Sequence, residues 1–230
     1  MSDAGRVIAG SARGTRLLAP GPGTRPIGDR VKQTLFAILE PDLPGAAILD
    51  LFAGSGAGGI EALSRGAARA VFVERDAAAA RVIAENLVRA RFAERGTVTR
   101  ADALTYLADR AVADGPFDVV LVDPPYAEPH LLEAALIRLG AGASAAAAHG
   151  ASAAGPAALL LRPEAWVVAK HFWRTPPPPA VGLLASVRTR RFGETALTFY
   201  RQAGSAPRDA EESAAVTPAR PAAESEEAAR

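Results

Sequence analysis

The chain has 230 residues, 49% hydrophobic content and a formal net charge of +1, which allows one sizeable core with appendages but not two large domains. Because cysteine is absent, disulfides, thiolate nucleophiles and cysteine-ligated zinc are excluded, and the three scattered histidines lack metal-ligand spacing. The sequence has no apolar run that could span a bilayer and no secretory pattern at its start, so we expect a cytoplasmic protein with no membrane or metal partner.

Charge is distributed unevenly along the chain. Residues 1–32 contain six basic and two acidic side chains, whereas residues 205–230 contain six acidic side chains and three arginines. The second segment also has no aromatic residue, and its richness in Ala, Pro, Glu and Ser predicts a disordered tail. The basic N-terminal segment is compatible with a nucleic-acid partner.

Residues 1–40 predict a β-hairpin arm followed by a helix. Two short strands between Arg6 and Leu18 are separated by a glycine-containing turn from Gly10 to Gly14. Asp29 is expected to cap a helix that runs through Leu39 and is stopped by the prolines that follow. The helical spacing places four apolar side chains on one face: Val31, Leu35, Ile38 and Leu39.

Residues 41–204 alternate between strand and helix patterns. Strands are predicted at 47–52, 70–73, 97–100, 117–122 and 165–169, helices at 58–65 and 77–90 with a short one near residue 104, and a final hairpin at 183–190 and 195–200. Residues 140–156 are almost entirely Ala, Gly and Ser and predict a flexible insertion. The alternation favours an α/β fold with a doubly wound, mostly parallel, Rossmann-like sheet.

A glycine segment follows the first buried strand of this body. Gly54-Ser55-Gly56-Ala57-Gly58-Gly59 matches the GxGxxG pattern of dinucleotide sites, which is weak evidence when taken by itself. Glu74, at the end of the next strand, could accept hydrogen bonds from the ribose of a nicotinamide or an adenosyl cofactor. Asp50 discriminates between them, since its charge suits the cationic amino-acid moiety of S-adenosylmethionine and not a pyrophosphate.

Asp102 follows a third strand and could receive an adenine amino group. For Asp50 a turn carboxylate and for Asp102 a helix N-cap are the alternative interpretations. The sequence therefore predicts an S-adenosylmethionine site composed of Asp50, Phe52, Gly54, Gly56, Glu74 and Asp102.

The segment Asp123-Pro124-Pro125-Tyr126 follows another buried strand and predicts a catalytic site for amino groups. An exocyclic amino nitrogen is a poor nucleophile until acceptors hold its hydrogens, and the Asp123 carboxylate and the Pro124 carbonyl could do so. The two prolines fix the direction of that carbonyl, and Tyr126 offers a stacking face to an extruded base. A simple Pro-Pro turn would explain the prolines but not the acid and the aromatic residue beside them.

These segments resemble the RsmD family of bacterial class I methyltransferases, and the similarity runs from about Arg6 to Arg201. The matching pieces in the arm are Arg6 to Gly10 with Arg13-Gly14, and Thr24-Arg25-Pro26 with Asp29-Arg30-Val31 and Leu35-Phe36. In the body they are Leu49 to Gly56, Glu61 to Ala67, Phe72-Val73-Glu74, Asp123 to Tyr126 and Phe192-Gly193-Glu194-Thr195. The sequence departs from the family at Ile27-Gly28, where small hydroxyl residues are usual, and at Lys170, where an acid is common.

The resemblance implies methyl transfer from S-adenosylmethionine to the N2 amino group of a guanine in small-subunit 16S ribosomal RNA. The substrate would be that rRNA or a small-subunit assembly particle, and the protein would act as a monomer. The arm would contact RNA, and a basic set beside flexible glycines suits phosphates: Arg13, Arg16, Arg25, Arg30 and Lys32. A solvated charged face is the alternative interpretation of these cations.

Three other functions stay open at this point. A DNA adenine-N6 methyltransferase would use the same chemistry at Asp123 to Tyr126, although the sequence offers no separate target-recognition domain. A nicotinamide oxidoreductase would share the glycine pattern and leave Asp123 to Tyr126 unexplained. A non-catalytic RNA-binding assembly factor would keep the arm and use the cofactor pocket structurally.

Overall fold

The computed structural model describes residues 3–21, 27–141 and 160–203. Arg25, nearly all of the predicted insertion 140–156 and the predicted tail 205–230 therefore lie outside the described residues. The N-terminal part contains β1 (Asp3–Arg6), β2 (Arg16–Leu18), α1 (Asp29–Leu39) and a 3-10 turn (Glu40–Asp42). The body contains β3 (Ala47–Leu51), α2 (Ala57–Ser64), β4 (Arg69–Glu74), α3 (Ala77–Arg89), β5 (Gly96–Arg100), α4 (Ala103–Asp109), α5 (Ala111–Asp114), β6 (Phe117–Val122), α6 (Pro129–Gly140), β7 (Leu161–Phe172), β8 (Ala180–Val181), β9 (Leu184–Phe192) and β10 (Thr195–Gln202).

Eight strands form one mixed sheet in the order β5-β4-β3-β6-β7-β10-β9-β8. The first five run parallel, and β10, β9 and β8 continue the sheet antiparallel from β7. The strand order reverses between β3 and β6, which is where open α/β sheets bind ligands. The α/β, Rossmann-like class predicted from the sequence is confirmed.

Both faces of the central strands are covered, which explains why β3 and β6 read as continuous apolar runs. All five residues of β3 are buried, and so are five of the six in β6. One apolar cluster joins the arm, α1, α2 and α3 to one face, and a second joins α4 and α6 to the other. The sheet is therefore the middle layer of three.

The arm is attached to α2 by hydrogen bonds. The buried Glu61 carboxylate accepts from the backbone N–H groups of Ile8 and Ala9 at 2.7 and 3.0 Å. Ser64 donates its hydroxyl to the Ala9 carbonyl at 2.6 Å and accepts from the Ala12 N–H at 2.9 Å. Gly10 has φ +83°, and a Cβ there would lie 1.9 Å from the Ser64 carbonyl oxygen, so glycine is required at this contact.

Three local expectations differ from the structure. Gly28 is the N-cap residue of α1, and the Asp29 carboxylate instead lies 3.7 Å from Arg6 and 3.8 Å from Lys32. The buried face of α1 contains Lys32 and Phe36 with Leu35 and Leu39, while the predicted Val31 and Ile38 are only half-buried. Helix α6, to which the sequence analysis assigned no element, covers the second face of the sheet.

Candidate active site at the carboxyl edge of the sheet

A cavity of about 950 Å³ opens at the carboxyl edge of the parallel strands. The loops after β3, β4, β5 and β6 line it, and so do the ends of β7 and β10. It contains all but one of the residues predicted to bind the cofactor or the target amino group: Asp50, Phe52, Gly54, Glu74, Asp102, Asp123, Pro124, Pro125 and Tyr126. Gly56 does not line the cavity. It packs beneath the loop, where an added Cβ would meet side chains of Ile83, Ile60 and Phe72.

The loop between β3 and α2 has an unusual backbone. Phe52 has φ +61° although it is not glycine, and Gly54 and Gly56 have φ of +57° and +76°. A non-glycine residue in this region is strained, and such strain concentrates at ligand sites. The loop turns the chain sharply between a buried strand and a buried helix, which leaves its backbone facing the cavity.

Glycines at the start of α2 let the helix approach Asp50 closely. A Cβ on Gly58 would lie 2.8 Å from Leu121, and one on Gly59 would lie 2.3 Å from the Phe72 ring. The close approach brings the Gly59 N–H within 2.8 Å of an Asp50 carboxylate oxygen. Burial raises the pKa of the Asp50 carboxyl to about 7, and the Gly59 hydrogen bond opposes part of that rise.

Two further carboxylates stand at successive strand ends around the same cavity. Glu74 accepts from the Gly54 N–H at 2.8 Å and from the Asp76 N–H at 2.9 Å, so it also shapes the glycine loop. Asp102 accepts from the N–H groups of Leu104 and Thr105 through one oxygen, and is therefore the N-cap of α4. The N-cap interpretation of Asp102 is observed, and the residue lines the cavity as well.

Asp123, the acid of the predicted catalytic segment, forms an ion pair with Lys170 of β7. The ammonium nitrogen of Lys170 lies 2.6 and 2.9 Å from the two carboxylate oxygens. Burial raises the pKa of Asp123, and the charge and hydrogen bonds of Lys170 oppose that rise. The pair places a carboxylate acceptor beside a cation in the wall of the cavity.

Tyr126 is half-exposed beside this pair and is held by the final hairpin. Its hydroxyl lies 2.9 Å from the Thr195 hydroxyl, and the Lys170 nitrogen lies 5.1 Å from the centre of its ring. Pro124 is buried, and Pro125 and Tyr126 are exposed. The segment thus offers a carboxylate, a rigid backbone and an aromatic face in one wall of the cavity.

The predicted RNA-contacting cations do not share one environment. Arg13 and Arg16 of the arm and Arg30 of α1 are exposed. Lys32 is fully buried, and its ammonium group donates to the Arg6 carbonyl at 2.6 Å. Since that side chain is closed off from solvent, Lys32 stabilises the junction of arm and helix and is not available to RNA.

Several residues of the site were not predicted from the sequence. Lys170 was noted only as a departure from the family pattern, although a lysine inside an apolar strand signals a buried partner. Pro20, Gly21 and Ile27 line the cavity from the arm and the start of α1, and no local pattern marks them. These contacts extend the arm to the mouth of the site.

Two features are absent from the described ranges 3–21, 27–141 and 160–203. Within them, no group of three or more His, Cys, Asp or Glu side chains could hold a metal ion. None of the helices described there is long and apolar enough to cross a membrane.

Known proteins match most of this chain. A family model described as conserved hypothetical protein 95 matches residues 5–146. YlbH of Bacillus subtilis is 35% identical over 200 residues, which is 86% of this chain and 100% of that relative. Ribosomal RNA small subunit methyltransferase D of Escherichia coli is 43% identical over 122 residues, or 53% of this chain and 60% of that protein. The solved structure of yhhF from Escherichia coli has a TM-score of 0.70 at 32% identity, and the match covers 86% of this chain and 97% of that one.

The cavity offers hydrogen-bond acceptors that suit S-adenosylmethionine. Three carboxylates at successive strand ends, Asp50, Glu74 and Asp102, suit its ammonium, ribose hydroxyls and adenine amino group. A more distant structure of the same fold, an RNA methyltransferase from Salinibacter ruber in complex with S-adenosyl-L-homocysteine, has a TM-score of 0.51 at 18% identity over 81% of this chain and 99% of that one. The cofactor predicted from the sequence, S-adenosylmethionine, is confirmed. The chain belongs to the RsmD family of class I methyltransferases.

Proposed function

We propose that this protein methylates the exocyclic N2 amino group of a guanine in small-subunit 16S ribosomal RNA. The observation that carries the proposal is the Asp123 to Tyr126 segment in the wall of the cavity that contains the carboxylates suited to the cofactor. The name of the Escherichia coli relative, ribosomal RNA small subunit methyltransferase D, supports rRNA as the substrate class. The exposed arginines of the arm and of α1 add a surface that attracts phosphates.

The cofactor, when bound, supplies an electrophilic methyl group on a positively charged sulfur. We assign its amino-acid end to Asp50 and the glycine loop, its ribose to Glu74, and its adenine to the neighbourhood of Asp102. Phe52 and Leu121 form an apolar part of the cavity wall, which excludes water from the reacting centre. The strand ends fix these groups before the substrate arrives, so that orientation is supplied by the fold.

Asp123 and Pro124 would act on the target amino group. The ionised Asp123 carboxylate and the Pro124 carbonyl accept its two hydrogens, which draws the nitrogen lone pair out of the ring and toward the methyl group. Tyr126 holds the extruded base by stacking. The proton leaves to solvent or to Asp123 during or after transfer. We expect one copy of the chain to be sufficient, since all of these groups belong to a single chain. We also propose that the protein acts in the cytoplasm.

Transfer of labelled methyl from S-adenosylmethionine tests the proposal. The substrates are deproteinised small-subunit rRNA, small-subunit assembly particles and DNA, followed by nucleoside analysis of the product. We expect N2-methylguanosine in RNA. N6-methyladenine in DNA would overturn the substrate class, and tight RNA and cofactor binding without transfer would indicate a non-catalytic assembly factor.

Replacement of Asp123 tests the assigned chemistry. Asp123→Ala is expected to bind the cofactor normally and to lose turnover, because the amino hydrogens then lack their charged acceptor. Asp109→Ala, which removes an exposed carboxylate at the far end of α4, is the matched control and should retain full activity. Normal turnover by Asp123→Ala would refute its catalytic role.

A further inference from the structure

Outside the cofactor cavity, an aromatic side chain lies among arginines at the tip of the final hairpin. Trp173 follows β7, and the guanidinium carbon of Arg191 lies 3.5 Å from the centre of its ring. Arg174 lies 5.1 Å from the same ring. Nε of Arg191 donates to the Gly193 carbonyl at 2.9 Å, which orients the guanidinium group. The arrangement is a stacked and preoriented cation, not a freely moving side chain.

This cluster adjoins the active site. The backbone N–H of Trp173 donates to the Glu194 carbonyl at 3.0 Å, and Glu194 and Phe172 both line the large cavity. Thr195, next in the chain after Glu194, contacts the Tyr126 hydroxyl. The tip of the hairpin is therefore directly connected to the wall on which we place the target base.

Arg174 and Arg191 are the arginines that contact Trp173. Arg190 precedes Arg191 on β9, so its side chain lies on the opposite face of the strand, the face of its partner Leu197, which lines the cavity.

All three arginines are available to a ligand. Arg174, Arg190 and Arg191 are exposed. In the parts of the chain that the structure describes, none of the three makes an ion pair with a carboxylate within 4.0 Å. A guanidinium group has five N–H donors, so the single bond from Arg191 to Gly193 leaves donors for an anion.

We propose that Trp173, Arg174, Arg190 and Arg191, here called the hairpin rim, bind the RNA strand that adjoins the target nucleotide. The guanidinium groups would contact its phosphates, and the stacked Trp173 and Arg191 planes would hold an unpaired neighbouring base. The inference rests on the proposed function and deepens it. With the arm, the hairpin rim gives the RNA a second point of attachment next to the cavity.

The choice of RNA over an acidic protein follows from the combination of groups. Arginine planes stacked on an indole suit both a phosphate and the face of a base. An extruded target base leaves its neighbours unpaired, so stackable bases are available where the hairpin rim lies. An acidic peptide would use the charges and leave the exposed guanidinium plane of Arg191, stacked on Trp173, without a base to stack on.

The test measures affinity for deproteinised small-subunit rRNA as a function of salt, with the full-length protein. The triple variant R174A/R190A/R191A should bind at least tenfold more weakly at physiological salt, with a salt slope shallower by about two, since each single-strand phosphate contact contributes about 0.7. Its cofactor affinity and its kcat at saturating RNA should stay unchanged. Trp173→Ala should weaken binding about fivefold or more with an unchanged slope.

Two controls separate this effect from a general change in charge or folding. R110A/R138A/R162A removes the same charge at the amino edge of the sheet and should bind RNA normally. R174K/R190K/R191K keeps the charge and should retain the salt slope. Equal RNA affinity and slope for the two alanine triples, with normal methyl transfer by the unaltered protein, would overturn this inference. Failure of the unaltered protein to methylate RNA would instead overturn the proposed function.

Discussion

The Lys170 ammonium nitrogen lies 2.6 Å from one carboxylate oxygen of Asp123 and 2.9 Å from the other. Burial raises the pKa of Asp123, and the charge and hydrogen bonds of Lys170 lower it, so the cation favours the ionised carboxylate. An ionised carboxylate only accepts hydrogen bonds, whereas a protonated one carries an O–H donor on one oxygen and is a weaker acceptor for the amino hydrogens. Lys170 therefore supports the proposed chemistry by favouring the ionised form of Asp123, although we do not expect it to contact the reacting atoms.

Lys170→Met should shift the pH dependence of turnover. Removing the ammonium group raises the pKa of Asp123 further, so activity should fall at a higher pH as the solution is acidified. A shift of about one pH unit lowers activity on the acidic limb about tenfold. The measurement is kcat against pH, and Lys170→Arg, which keeps a cation, should stay close to the parent profile. Superimposable profiles for the methionine variant and the parent would remove this role.

Asp50→Asn should separate stability from cofactor binding. Burial raises the pKa of Asp50 from 3.8 to about 7, so the folded protein holds this proton more tightly than the unfolded chain does. The cofactor-free protein should therefore lose stability as pH rises from about 4 to about 7, whereas the variant should not. We expect a higher melting temperature for the variant than for the parent at pH 8.

The same substitution should weaken cofactor binding about tenfold, because it removes a charge worth about 1.4 kcal/mol to the cationic end of the ligand. Calorimetric titration with S-adenosylmethionine at pH 8 measures this. The asparagine amide oxygen can still accept from the Gly59 N–H, so the loop should keep its shape. Parent-like affinity would show that Asp50 does not bind the charged end of the cofactor.

Gly10→Ala should release the arm from α2. Its new methyl group would lie 1.9 Å from the Ser64 carbonyl oxygen, so the backbone of the arm or of α2 must move. We expect the Michaelis constant for rRNA to rise several-fold while cofactor affinity holds. Gly14→Ala is the matched control, since Gly14 has φ +85° and no atom within 4 Å of an added Cβ, and it should show a stability cost of only about 1 kcal/mol. Identical behaviour of the two variants would argue against the contact.

Asn86→Ala should impair the arm and the cofactor loop together. The buried Asn86 amide donates to the carbonyls of Leu18 and Ser55 at 2.9 Å each, and accepts from the Leu18 N–H at 2.8 Å. We expect a loss of about 1–3 kcal/mol in the free energy of unfolding, with weaker binding of both S-adenosylmethionine and rRNA. Denaturant melts and two binding titrations measure these effects. A loss confined to one ligand would show that Asn86 does not couple the two regions.

The sequence was most informative where the signal is local. The buried apolar runs of β3 and β6 placed Asp50 and Asp123 correctly at one edge of the sheet, because parallel strands that end together deliver their next residues to the same place. Helix α1 was predicted to end at Leu39, as it does, and to begin after Asp29, one residue later than it does. Its N-terminal and C-terminal signals, an acid in the first turn and Pro41 after the end, lie in the same short stretch of chain.

The sequence was least informative where partners are distant in the chain. Lys32 was expected at the surface, and its burial depends on a carbonyl of the arm 26 residues away. Lys170 pairs with an acid 47 residues away, a contact set by the register of β6 against β7. The hairpin rim depends on the antiparallel pairing that sets Thr195 beside both Phe172 and Phe192. Local patterns contain no information on such pairings.

The carboxyl and amino ends of the parallel strands differ in function. Proposed chemistry is confined to the carboxyl edge, whereas Ala141, at the end of α6, and Leu160, just before β7, lie at the amino edge. A five-residue strand such as β3 keeps the edges about 17 Å apart. A fluorophore attached at Arg138, which is exposed near the end of α6, would therefore lie on the side of the sheet away from the cavity. That position offers a way to label the protein for RNA-binding measurements while leaving the cavity open.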